Sequence, residues 1–378
     1  MTAADLHPRG KADFFPSIAL MRGVAALLVI YDHLVGMWLQ RNAVVWLPAQ
    51  LADRWFFDPL HIMMHGGAYA VALFFMVSGF VIVYVAQRET RREFVIRRAL
   101  RIFPPLWISM VLLLLAYLAV LAFSTSPSLR AYAVTEVLAK PNPVPTILAA
   151  MTLTNYLLGT LPVNGVAWTL IVEVLFYLHV AVLLPVFKTR PRQAIAIAFG
   201  VLLLVQIFAR VHWMMFLLAV NLTYVTFLFL GSLVYLRWAD RIGNRFFAVA
   251  SIAFALLFMR GIRDIVLQPP FTLSGYGVSY AFAWMSFVVL LLLDARIRLG
   301  RIMEFFSRIS YSLYLNHGGL GLLALTLVYP WTGYPLGLLL AFTGVVAVST
   351  ASWRWVEVPS QRLARRWTGR KHQSRGGP

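Results

Sequence analysis

The chain has 378 residues, of which 61% are hydrophobic, 14% aromatic and only 12% charged; it carries a formal net charge of +19 and no cysteine. Soluble domains carry about 25% charged residues, so the solvent for most of this chain is lipid, and the aromatic content excludes a disordered chain. Without cysteine there is no disulfide, no thiolate nucleophile and no Cys-ligated metal.

A membrane-spanning helix needs about 20 mostly apolar residues. Ten such segments follow one another, at 17–36, 66–86, 104–123, 168–187, 193–211, 214–236, 246–260, 277–294, 305–328 and 336–355, the seventh being the shortest. The expected fold class is all-α, a polytopic membrane helix bundle of about ten transmembrane helices. The polar start HPRGKADFFPS leads straight into the first span, so no cleavable signal peptide is expected.

Orientation follows from the Lys and Arg count. With the N-terminus inside, 23 of the 33 fall on cytoplasmic segments, seven on outer segments or, for Arg210 and Arg260, at the outer ends of spans, and three deeper within spans. Cytoplasmic loops carry such an excess, so both termini are expected in the cytoplasm. Counting the apolar stretch 144–158 as a span would invert every later loop, and it is therefore read as interfacial or re-entrant. The basic balance is then a topology signal rather than a nucleic-acid footprint. The expected organisation is a cytoplasmic segment at 1–14, a membrane domain at 15–359 and a basic cytoplasmic tail at 360–378, the last touching anionic lipid heads.

Charged groups inside spans cost about 2.5–3.5 kcal/mol on insertion scales and mark functional sites. They are Arg22, Asp32 and His33 in the first span, Glu173 and His179 in the fourth, Arg308 and His317 in the ninth and Arg354 in the tenth. Arg22 and His33 are eleven residues apart, which places them on one helical stripe about 16 Å apart. Counting rise from each span's entry puts His33, Glu173 and His317 in the outer half, where a His beside a carboxylate suits acid–base chemistry. The competing readings are a snorkelling Arg22, a core His33 bonded to a backbone carbonyl, and a polar network that only fixes helix packing.

The segment before FPPLW is dense in cations, with Arg91, Arg92, Arg97, Arg98 and Arg101. Arg98 and Arg101 share a helix face, and guanidinium forks grip phosphate; the competing reading is a stop signal for insertion. His61 and His65 in HIMMH have the spacing of a zinc helix but lack its glutamate, so no metal is expected. Ser78 in FFMVSGF lacks a nucleophile elbow, and the serine and glycine of this motif are read as close-packing residues.

Taken together these motifs resemble the acyltransferase-3 family of bacterial integral-membrane acyltransferases. The resemblance rests on Arg22 and His33 in SIALMRGVAALLVIYDH, on GAYAVALFFMVSGF, on Arg98 and Arg101 in IRRALRIFPPLW, on Trp168 and Glu173 in WTLIVEVLFY, on His317 in ISYSLYLNH, and on the closing WRWVEVPSQR. FPPLW departs from the family's proline–x–tyrosine pattern. The resemblance implies a multi-pass protein of the bacterial cytoplasmic (inner) membrane. It also implies acyl-CoA, in particular acetyl-CoA, as co-substrate without a metal, and transfer to a hydroxyl of a cell-surface or lipid-linked glycan. Arg98, Arg101 and Arg22 are then expected to bind the donor. His33 takes the acceptor's proton or forms an acyl-imidazole, assisted by Asp32, Glu173 and His317. Two alternatives stay open: a secondary transporter, though the matched halves common in transporters are absent, and an acyl relay component without acceptor chemistry of its own. The expected partners are membrane lipids, acyl-CoA and a glycan or glycolipid, with no nucleic acid; the sequence sets no oligomeric state.

Overall fold

The protein is described by a computed structural model covering residues 15–127, 129–130, 133–134, 143–160, 162–267 and 272–369. The first 14 residues and the end of the tail from 370, on which parts of two expected segments fall, lie outside the described residues. The described chain is helical. Eight stretches are long and apolar enough to cross a membrane, the last of them, Arg301–Trp367, running to 67 residues. That stretch is broken at Gly333, whose φ of 67° lies between Pro330 and Pro335. The break separates the ninth and tenth expected spans, and the apolar helix Pro191–Ile207 supplies the fifth. All ten expected spans thus fall on apolar helix, and the chain is a polytopic helix bundle.

Two boundaries differ from expectation. The seventh span is not short: Asn244–Gly261 continues through a π turn at Ile262–Val266, absorbing Arg260, Arg263 and Asp264 that polarity alone assigns to a loop. The fifth is the short one, with 17 residues, about 26 Å of helix, because the chain turns at Phe208. The stretch 144–158 folds as two short helices, Pro143–Met151 and Asn155–Leu158, joined through Leu153 at positive φ. Nine residues make about 13 Å of helix, so neither piece spans.

Contacts divide the chain into two compact units, Met1–Val85 with Pro185–Tyr314 and Ala86–Leu184 with Leu315–Pro378. The first unit contains α1 (Pro16–Asn42, with a π turn at Asp32–Met37), α2 (Leu47–Ala52) and α3 (Gly67–Ala86). Its remaining helices are α8 (Pro191–Ile207), α9 (Trp213–Trp238), α10 (Asn244–Gly261), α11 (Leu273–Leu292) and α12 (Arg301–Asn316). The centre is α9, buried without interruption from Asn221 to Leu236. Its backbone meets that of α3 through a reciprocal glycine pair. A β-carbon at Gly79 would collide with the Leu228 carbonyl, and one at Gly231 with the Met76 carbonyl. Small residues drive close helix approach where lipid removes the hydrophobic incentive. Ser232 adds a hydroxyl bond to the Gly79 carbonyl at 3.2 Å. So Gly79, the glycine of the expected serine–glycine packing pair, carries the contact.

The second unit contains α4 (Arg91–Phe123), α5 (Pro143–Met151), α6 (Asn155–Leu158), α7 (Trp168–Thr189, ending in the first unit), α13 (Leu322–Ser352) and α14 (Val358–Trp367). A capping box starts α4: Thr90 accepts from the Glu93 backbone, and the Glu93 carboxylate accepts from the Thr90 backbone. Trp107 donates its indole N–H to the Met151 carbonyl at 2.9 Å, tying α5 to α4.

Candidate active site

In the first unit the polar residues expected on α1 point into protein. Arg22 donates to the Ser310 hydroxyl on α12 at 2.9 Å. Asp32 is 2% exposed and opens the π turn, with His33 one residue on. π turns widen a helix and recur at functional sites. His33 Nδ1 lies 2.9 Å from the Val29 carbonyl. A carbonyl only accepts, so Nδ1 carries a hydrogen and Nε2 is left as the nitrogen that can take up or release a proton. Asp32 does not orient His33 by a hydrogen bond: its Oδ2 is 3.8 Å from Nδ1.

The other oxygen of Asp32 faces a residue that sequence reasoning set aside. His65 Nδ1 is 3.7 Å from Asp32 Oδ1, and its Nε2 is 3.6 Å from Asp53 Oδ1. The backbone makes this approach possible through three successive left-handed residues, Met64 (φ 54°), His65 (46°) and Gly66 (91°). Side-chain-bearing residues rarely adopt this conformation, and it persists where surroundings enforce it. His61 and His65 are therefore not on one helix face, and the zinc-helix spacing has no geometric counterpart. Two glycines make the room. A β-carbon at Gly36 would strike the His65 ring, and one at Gly67 would strike the Asp32 carboxylate. Asp53 lies outside the spans; burial raises its carboxyl above the ordinary range and Asp58 adds to this, while His65 opposes it. The result is a chain, His33–Asp32–His65–Asp53, from a buried carboxylate to one that is 33% exposed.

The second unit holds Arg98, Arg101, Glu173 and His317. Here the residue missed is Glu89. It is 3% exposed and takes Arg97 at 3.0 Å and Arg98 at 3.2 Å. Arg97 also donates to Thr368, just beyond the end of α14, at 2.9 Å. The Arg98 guanidinium lies 5.2 Å over the Phe94 ring, its buried Nε without a hydrogen-bond partner. Phe94 in turn meets Tyr177 edge-on at 6.2 Å, and Tyr177 donates its hydroxyl to Glu173 at 2.9 Å. Arg91 donates to the Ala181 carbonyl at 3.0 Å. These contacts set an antiparallel register between α4 and α7 that brings Arg98 level with Glu173. Sequence reading places Arg98 at the inner face and Glu173 in the outer half, and this register sets the two at one level. Its partner Arg101 is half-buried one turn further along α4.

His317 is fully buried and opens a π turn at His317–Gly321. Such a turn disturbs the i→i−4 ladder, and the Leu315 carbonyl before it is held by Asn164 at 2.8 Å and Ser109 at 3.0 Å. His179, another histidine within a span, bonds the Leu175 carbonyl at 2.7 Å, as His33 bonds Val29, but without a carboxylate beside it in the sequence. Arg308 and Arg354 are exposed and take no part in these groups. Among the described residues no three His, Asp or Glu side chains gather around one point as a metal site would require.

Comparison with known proteins adds the family. The acyltransferase-3 profile, described as an acyltransferase domain, matches residues 15–354. A stretch of 196 residues is 29% identical to Nodulation protein 10 of Rhizobium leguminosarum bv. viciae. That match covers 50% of this chain and 48% of the relative, so the chain spans about half the length of the curated protein it matches. No solved structure matches.

Proposed function

The chain belongs to the acyltransferase-3 family, and from that premise we propose that it transfers an acyl group, acetyl in this reading, from acyl-CoA to a hydroxyl of a cell-surface or lipid-linked glycan. It works in the bacterial inner membrane with both termini cytoplasmic, residues 15–359 forming the catalytic domain and 360–378 a basic tail. The observation that carries the reading is the His33 tautomer. With Nδ1 donating to Val29, Nε2 is the nitrogen that can accept a proton. In this reading His33 Nε2 removes the hydroxyl proton as the oxygen attacks the thioester carbon, Asp32 stabilises the imidazolium, and the CoA thiolate departs and recovers that proton. Arg98 and Arg101 hold the donor's phosphates, with Arg22 as a further cation. Glu173 and His317 complete the proposed set, and no metal enters the chemistry.

The test is chemical. Purified full-length protein in nanodiscs is given acetyl-CoA, with and without lipid-linked glycan from its own cells. CoA thiol release and acetyl ester on the glycan are both measured. Glycan-dependent thiol release with matching ester is expected. Transport or binding of acetyl-CoA without ester would contradict the proposal and favour the relay or transporter readings.

A further inference from the structure

We propose that His65 is a positioning residue for acyl transfer, the middle of a charge-balancing relay His33–Asp32–His65–Asp53. The inference rests on the reading of His33 as base and adds a residue to it. Asp32 is buried and has one oxygen toward each imidazole, 3.8 Å from His33 and 3.7 Å from His65. A buried carboxylate needs a cationic partner, and both candidates can gain or lose a proton. In the resting state a proton on His65 balances Asp32 and leaves His33 neutral, the form a base requires. When His33 takes the acceptor's proton, Asp32 would face two imidazolium ions. His65 avoids this by passing its Nε2 proton to Asp53, 3.6 Å away, once the two close to hydrogen-bond distance. When the C–S bond breaks, His33 gives its proton to the CoA thiolate and His65 recovers its own from Asp53. No net proton is gained or lost, and Asp32 faces one imidazolium throughout.

The site is built for this arrangement. Gly36 clears space for the His65 ring and Gly67 for the Asp32 carboxylate. Left-handed backbone at Met64, His65 and Gly66 aims the ring back toward α1. The Phe57 ring closes one side of His65 at 6.2 Å. The charged groups acting on the ring are Asp32, Asp53 and Asp58. Burial of Asp53, which raises its carboxyl, suits it to take up a proton and give it back.

The experiment uses the full-length protein in nanodiscs with acetyl-CoA as probe. His65→Gln, which cannot carry the proton, is expected to lower kcat about tenfold or more while KM for acetyl-CoA stays within about twofold. Asp53→Asn, at the more exposed end, is expected to lower kcat by a smaller factor. A second readout does not need turnover: the rate at which diethyl pyrocarbonate modifies His33, read by peptide mass spectrometry at pH 7. Without the His65 cation Asp32 draws a proton onto His33, and modification is expected to slow at least about threefold. An unchanged His33 modification rate in folded His65→Gln protein, or an unchanged kcat, would overturn the proposal. If His33→Gln is inactive and His65→Gln fully active, only the relay fails. If His33→Gln keeps its turnover, the reading of His33 as base fails.

Discussion

Each unit buries a carboxylate beside two nitrogen bases, and the two arrangements are opposite in kind. Glu89 is gripped at 3.0 and 3.2 Å by two guanidinium groups, which stay charged at any working pH. Asp32 faces two imidazoles at 3.7 and 3.8 Å, side chains that can gain or lose a proton. Glu89 is bound short and bonded further, through Arg97 to Thr368. Asp32 sits where a helix widens into a π turn and the facing backbone is left-handed. A tight pair of permanent charges anchors structure, whereas loose contacts to titratable partners leave protons able to move. Burial of a carboxylate alone therefore does not identify a catalytic group; the chemistry of its partners does.

The comparison can be broken most severely at His33. His33→Gln keeps a polar side chain but cannot take up a proton, and a loss of about 10²–10⁴ in turnover is expected, with acyl-CoA affinity retained. Equal activity would move the base elsewhere, first to His317. The next effect is on donor binding. Arg101→Ala is expected to cost about 1.5–3 kcal/mol of acyl-CoA affinity, read by isothermal titration, with Lys only a partial substitute. Arg98→Ala is a less clean test, because Arg98 is also bound to Glu89. The smallest effect sharpens the anchor itself. Thr90→Ala removes the cap beside Glu89, and a loss of about 0.5–2 kcal/mol in stability is expected, seen as a lowered thermal midpoint with turnover per folded molecule unchanged.

The spans were legible because lipid imposes a length and a composition that a sequence window detects, and parity of the charge count kept 144–158 out of the list of spans. The boundary errors have a common cause. Polar residues such as Arg260 and Asp264 end a hydropathy window, but a helix continues while its backbone bonds are satisfied, here through a π turn. The arginines and His33 were legible as residue types at a spacing. Their partners were not. His65 reaches Asp32 only because Met64, His65 and Gly66 are left-handed, and no periodicity encodes that conformation. Glu89 left a faint signal, as one of two acids in an otherwise basic loop, the other being used in the helix cap. The level shared by Arg98 and Glu173 was not legible, because each was placed on its own segment, whereas the register between α4 and α7 is set by Arg91 on Ala181 and Phe94 on Tyr177.

The most direct test of the contrast measures acetyl-CoA turnover and thermal midpoint together for Asp32→Asn and Glu89→Gln. Both changes remove one buried charge at nearly constant shape. The account predicts a crossed result. Asp32→Asn loses at least about tenfold in turnover with little change in midpoint. Glu89→Gln unmasks two buried guanidinium groups, so its midpoint falls by the equivalent of about 3 kcal/mol, while turnover per folded molecule at saturating acetyl-CoA is largely kept. An Asp32→Asn protein that melts early yet turns over at the wild-type rate per folded molecule would contradict the account and make both carboxylates structural.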